Sequence, residues 1–316
     1  MKTSVNRREW IDITCFLAVV TLMVGLSVVM REKEIIFPEV GAIAAGMFLT
    51  PNRPWMTNGR RMILCLILCA ALGMVMVRFV SLPLVVQMIL AYALAYLIQS
   101  LSATSFMPMI SAMVLPVLLR SRSPWYLVSV AIFSLLIVFI RKILEKAGER
   151  QPEDFIPIDK NIPLSLALFR LVTVSVMITI AMKSGLTFLA APPLLVAFTE
   201  LSAYKNKAIR LHPVRIIILM TLSAAAGAYV RLAFTILPDS YMPLSLLVSS
   251  IIFLVAFYHI GPMVPPAGAL MILAFLADTA ALPTYPLQVL IGMSAYVTVT
   301  LLRNTFTKRQ IGRAHV

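Results

Sequence analysis

Apolar positions dominate this chain in twelve stretches, separated by short polar or proline-containing joints. Eight of the stretches are long: residues 11–30, 62–80, 82–101, 125–143, 163–182, 215–233, 244–260 and 287–302. Each approaches the roughly 20 residues that a helix needs to cross a bilayer. Four are shorter and broken by proline: 35–49 at Pro38, 106–119 at Pro108, 188–201 at Pro192 and Pro193, and 263–277 at Pro265 and Pro266. Proline lacks an N–H and fits the first turn of a helix, where that N–H would have no partner. The Pro265–Pro266 pair therefore predicts a helix start, with residues 261–264 as the lead-in. A start at membrane depth leaves N–H groups and a partial positive charge away from water. Transporters can present an anion site in this way. A proline-broken helix packed against its neighbours is the alternative.

The order long, short, long, long, short, long occurs twice. Shifting the chain by 154 positions lays Pro38 on Pro192, Asn52 on Asn206, Arg53 on Lys207 and Arg61 on Arg215. The same shift lays Ala70, Ala71 and Gly73 on Ala224, Ala225 and Gly227, and a shift of 157 lays Pro108 on Pro265. Internal duplication of this kind is common in transporters. It divides the chain into a first membrane repeat (1–147), a linker (148–162), a second membrane repeat (163–309) and a tail (310–316). If all six stretches of each half cross, both halves run parallel. The basic loops around Arg53, Arg60 and Arg61 and around Lys205, Lys207, Arg210 and Arg215 then share the side of the N-terminus. The positive-inside rule makes that side cytoplasmic and places the protein in a cell's inner membrane. Arg120 and Arg122 are the awkward pair, because they fall outside. Re-entrant short segments would leave four crossings per half.

Composition agrees with this pattern. The chain of 316 residues is 60% hydrophobic and 13% charged, with a mean hydropathy of +0.95; soluble domains are about 25% charged. The fold class is all-α, a polytopic membrane protein. Its net charge of +14 sits in short loops between apolar runs, which excludes a nucleic-acid partner. Cys15, Cys65 and Cys69 lie within apolar runs without metal or disulfide spacing, and read as packing residues. No metal, cofactor or enzyme motif is apparent. The first apolar run is followed by REKE and not by a small-residue cleavage site, so it reads as a retained anchor. The last seven residues, QIGRAHV, back-translate to a common sequencing-library adapter. They are expected to be an artefact replacing the natural C-terminus, and His315 carries no weight.

Polar groups at membrane depth are costly and invite functional readings. Arg170 lies within a span; it either serves a site or snorkels to the interface. Glu39 and Glu200 lie in short segments near the proline breaks, where they either pair with cations or carry protons. His259 precedes the Pro-Pro segment and is either a titrating group or an interfacial histidine. Arg78 and Arg231 close matching spans and are expected to snorkel. Trp10, Trp55 and Trp125 fall at span ends, as interface anchors do. The small-residue patches at Gly73 and Gly227 are expected packing surfaces.

The segment MVPPAGALMIL, Met263–Leu273, resembles the HPP family of integral membrane proteins, which is named for a His-Pro-Pro motif followed by Ala-Gly-Ala. The resemblance covers most of residues 163–304 and makes the first half a degenerate copy, with FMPMISA in place of VPPAGA. The motif histidine is Val264 here, so any role of that imidazole is lost, while Pro265, Pro266, Ala267 and Gly268 keep the geometry. Some family members are associated with nitrite transport, so the resemblance implies a small-anion transporter. The expected site joins the helix starts at Pro38, Pro108, Pro192–Pro193 and Val264–Gly268 near the midplane, with Arg170, His259, Glu39 and Glu200 as candidate polar groups. The expected partners are the lipid bilayer, a small anion and, in a homo-oligomer, further copies of the chain. A non-transporting module that organises or senses a partner is the competing expectation.

Overall fold

A computed structural model describes residues 6–152, 154–158, 162–203 and 207–313, with backbone alone at 207, 210 and 306–313. Lys205, Asn206, His315 and parts of the linker and tail lie outside the described residues or side chains. Eight helices are long and apolar enough to cross a membrane: α1 Arg7–Met30, α3 Gly59–Phe79, α4 Leu84–Leu101, α6 Trp125–Lys146, α7 Leu164–Ser184, α10 Pro213–Ala233, α11 Met242–Ile260 and α13 Tyr285–Arg313. Four short apolar ones alternate with them: α2 Glu39–Ala44, which continues as a wider turn over Ala45–Leu49, α5 Pro108–Leu119, α8 Pro192–Leu201 and α12 Pro266–Leu276. A surface turn, α9 Lys207–Leu211, joins α8 to α10. The protein is an all-α polytopic membrane protein, as the hydrophobic pattern predicts.

Local signals explain the ends. Asn6 and Glu9 form a capping box on α1, and the Asn58 side chain accepts from the Arg61 N–H at the start of α3. Each short helix begins on a predicted proline: Pro38 and Pro265 are N-caps, and Pro108 and Pro192 open α5 and α8. Non-helical chain precedes each of them, including single tight turns at Lys33–Ile35 and Thr187–Ala190 and a cis Gly261–Pro262 peptide.

Contacts sort the joints into two ends of the bundle. At the end holding the N-terminus, Arg150 of the linker grips Asp12, Arg53 pairs with Glu145 at 2.6 Å, the Ser105 hydroxyl accepts from the Met56 N–H, Arg61 donates to the Ser102 carbonyl, and the Trp55 indole donates to Glu200. At the other end, Glu34 accepts from Ser121 and Ser123, Arg78 donates to the Arg122 carbonyl, and Lys33, Arg231, Asp239 and Thr279 surround one pocket. Every short segment therefore runs from one end to the other and completes a crossing. This end-to-end course agrees with the six-stretch reading of each half better than with re-entrant segments.

The short helices form an inner bundle that interlocks the halves. Helix α2 packs on α12 and α5 packs on α8; around them α1 packs on α11 and α4 on α7. The halves approach closely at Gly41 and Gly268, where a Cβ on Gly41 would lie 2.6 Å from the Gly268 carbonyl oxygen. Gly73 and Gly227 admit the backbones of α5 and α12 in the same manner, as predicted for packing patches.

Two expectations about interface residues fail. Trp55 is 3% exposed, because its ring packs on Gly46 and edge-on against Phe106. Arg231 does not snorkel: it is buried and donates to the Ala274 and Ala277 carbonyls at the end of α12.

Candidate functional site

The proline starts all lie in the interior but not at one level: those of α5 and α12 neighbour the C-terminal end of α8, away from Pro192–Pro193. Pro38, Pro108, Pro192, Pro193, Pro265, Pro266, Ala267 and Gly268 are all buried, and Gly41–Gly268 contact joins two of the starts directly. Their first turns, however, are closed on themselves. The Val40 and Gly41 N–H groups bond back to Phe37 and Pro38, Ile110 to Met107, Leu194 and Leu195 to Ala191, and Ala267 and Gly268 to Val264 and Pro265, at 2.8–3.2 Å. The prolines themselves have no N–H to offer. These amides are thus committed within their own first turns and are not free for a shared anion. Proline removes the donors that burial would otherwise orphan.

Positive charge gathers at the opposite poles, the C-terminal ends of the short helices. A helix end carries orphan carbonyls and partial negative charge, which lipid cannot satisfy. Arg141 donates to Met47 at 2.8 Å, and Arg150 donates to Thr50 at 2.8 Å and also to Phe48, closing the segment that begins as α2. Arg170 closes α8, donating to the Thr199 carbonyl at 2.6 Å, the Ser202 hydroxyl at 2.8 Å and the Tyr96 hydroxyl at 2.9 Å. It is 3% exposed, so snorkelling is excluded, and it does not lie at the helix starts where it was expected. Arg231 closes α12. The capping roles of Arg141 and Arg150 escape sequence reasoning, because neither carries a motif.

The carboxyls are placed differently. Glu39 is 1% exposed at the start of α2; Ser111 of α5 donates to its Oε1, and its Oε2 has no hydrogen-bond partner. Among the described residues no Lys or Arg pairs with it, so the expected ion pair is absent there. Tyr126 and Tyr285 donate to the Ala112 and Leu270 carbonyls. Glu200, near the end of α8, accepts from the Trp55 indole at 2.7 Å. His259 stands apart: it is exposed and its Nδ1 lies 2.9 Å from the Val255 carbonyl of its own helix.

One pocket brings several predicted residues together. It has a volume of about 230 Å³ at the N-terminal end of the bundle. Met107 at the start of α5, Val264 and Pro265 at the start of α12, Thr199 and Glu200 at the end of α8, and Trp55 line it. The pocket touches three of the four short helices and has the Glu200 carboxyl and the Ser105 and Thr199 hydroxyls in a mostly apolar wall. Among the described residues no cluster of three or more His, Cys, Asp or Glu side chains could hold a metal.

Fold and pocket together define a multi-pass helical membrane protein with a broken-helix interior. Neither a protein-family model, nor a curated protein, nor a solved structure matches the chain.

Proposed function

We propose that this membrane protein is a transporter or channel and that its cargo is a small anion. The observation that supports transport is the inner bundle: four interrupted crossings, two from each half, meet inside a ring of long helices. Non-helical backbone at membrane depth is tolerated only where protein or a cavity surrounds it. Transporters of duplicated architecture place their sites at such breaks. The pocket at Met107, Val264 and Glu200 is the mouth of the path, with Glu39 and Ser111 further in. The anion is supported by the HPP-like segment at Met263–Leu273 and not by free amides at the helix starts. The N-terminal end, rich in basic loops, is the cytoplasmic one under the positive-inside rule, in an inner membrane.

Protein reconstituted in liposomes tests this with nitrite, nitrate, chloride and potassium. Nitrite flux above that of protein-free liposomes, without potassium flux, supports the reading; the absence of flux for all four overturns it. Replacing Glu200 by Gln keeps an acceptor for Trp55 and removes the charge at the mouth, so a changed flux places the path there.

A non-transporting module is the second reading. The closed first turns and the backbone contact at Gly41–Gly268 favour it, since they describe dry packing where a site was expected. The same assay separates the two.

A further inference from the structure

The two halves also build matching pockets at the opposite end of the bundle, and their charges differ. In the second half the pocket lies between the ends of α10 and α12 and the start of α11, and holds about 370 Å³. Lys33, Arg231 and Asp239 line it, so an acid accompanies the two cations, and Arg231 is engaged with the end of α12. In the first half the equivalent pocket lies between the ends of α3 and α5 and the start of α4, and holds about 210 Å³. Arg78, Arg120 and Arg122 line it together with Ser81 and Gln87, and no acid does.

Three arginines around one small pocket need an explanation. Their mutual repulsion raises the local potential unless a counter-charge is present. Among the described residues no acidic side chain pairs with Arg78, Arg120 or Arg122; Glu34, which accepts from Ser121 and Ser123, brings one negative charge to this loop but does not line the pocket. Arg78 spends one nitrogen on the Arg122 carbonyl, which draws the loop after α5 over the pocket. Gln87 ties down the neighbouring turn through the Val80 and Leu82 carbonyls. All three arginines are exposed, so their guanidinium forks are accessible from outside the protein. These residues also lie on the end of the bundle away from the basic loops, where the positive-inside rule disfavours arginine. Planar guanidinium groups match the oxygen pairs of phosphate better than any other side chain does.

From this geometry we infer that Arg78, Arg120 and Arg122 form a binding site for a phosphate group. The pocket sits where helix ends meet the membrane surface, so the phosphate belongs either to an anionic lipid headgroup lodged between helices or to a free phosphate in solution. This site is separate from the transport path and does not depend on it.

The test uses the full chain, purified and delipidated in mild detergent. Binding is measured for inorganic phosphate, and for phosphatidylglycerol against phosphatidylcholine in mixed micelles. Saturable binding of inorganic phosphate identifies the free anion. Retention of phosphatidylglycerol over phosphatidylcholine, without inorganic phosphate binding, identifies the lipid. In either case the triple variant R78Q/R120Q/R122Q binds at least roughly tenfold more weakly, as expected when charge-assisted hydrogen bonds are lost. If the triple variant does not fold, Arg120→Gln alone is read, and a clear weakening is expected. A control variant, R31Q/K183Q, removes two other cations from the same end and keeps full binding. No binding of either probe, or an equal loss in the control, overturns the inference.

Discussion

The two halves follow one path through the bundle but place their polar chemistry at different levels of it. Helices α2 and α8 occupy matching positions under the shift of 154, yet Glu39 at the start of α2 corresponds to Pro193, and Glu200 at the end of α8 corresponds to Gly46. Trp55 shows how the difference is used. Its ring fills the space that Gly46 leaves on one helix, and its indole N–H donates to Glu200 on the matching helix of the other half. A single side chain thus spans equivalent places in both copies. The capping arginines differ as well. Arg150 brings its own counter-ion, a two-pronged pairing with Asp12, whereas Arg170 caps α8 with neutral partners only. The order of long and short helices matches in the two halves, because the bilayer sets the length that each long helix must cover. The buried polar groups were free to diverge wherever a local partner could satisfy them.

The largest expected effect tests the caps. Arg150→Ala leaves Asp12 buried without its cation and should cost roughly 3–5 kcal/mol, the range for breaking a buried ion pair. Arg170→Ala removes charge-assisted hydrogen bonds and should cost less, about 1.5–3 kcal/mol. Chemical unfolding in mixed micelles measures both; equal losses would remove the asymmetry argued above. Next comes the contact between halves. Gly41→Val forces the α2 and α12 backbones apart and should cost about 1–3 kcal/mol by overpacking. Gly25→Ala, where the added Cβ meets nothing within 4 Å beyond its own stretch of helix, serves as its counterpart and should not destabilise. If both substitutions are tolerated alike, the interlock is looser than described.

A smaller effect is expected at the bridge. Trp55→Phe keeps most of the ring packing but deletes the hydrogen bond to Glu200, for a loss of about 1 kcal/mol. A thermal-unfolding series that includes Glu200→Gln, which retains an acceptor, shows whether the bond or the charge matters. The smallest change belongs to His259→Ala. An exposed side chain bonded only to its own helix should stay within about 0.5 kcal/mol of the parent protein. A large loss there would bring His259 back into the site.

Hydrophobic run lengths and the chemistry of proline determined a good deal by themselves. Eight long and four short segments, the start of each short helix at a proline, and the small-residue seams at Gly73 and Gly227 follow from local geometry that a sequence displays directly. What each buried polar group faces was decided only by tertiary structure. Arg170 reads as a candidate anion ligand until α8 is seen to end against it, and Trp55 reads as an interface anchor until the other half supplies Glu200. Arg141 near the end of α6 and Arg150 in the charged linker give no hint that α2 terminates on them. The physical reason is the same in each case. Crossing a bilayer is an obligation of one segment, whereas satisfying an orphan carbonyl or a buried carboxyl depends on which distant segments fold around it.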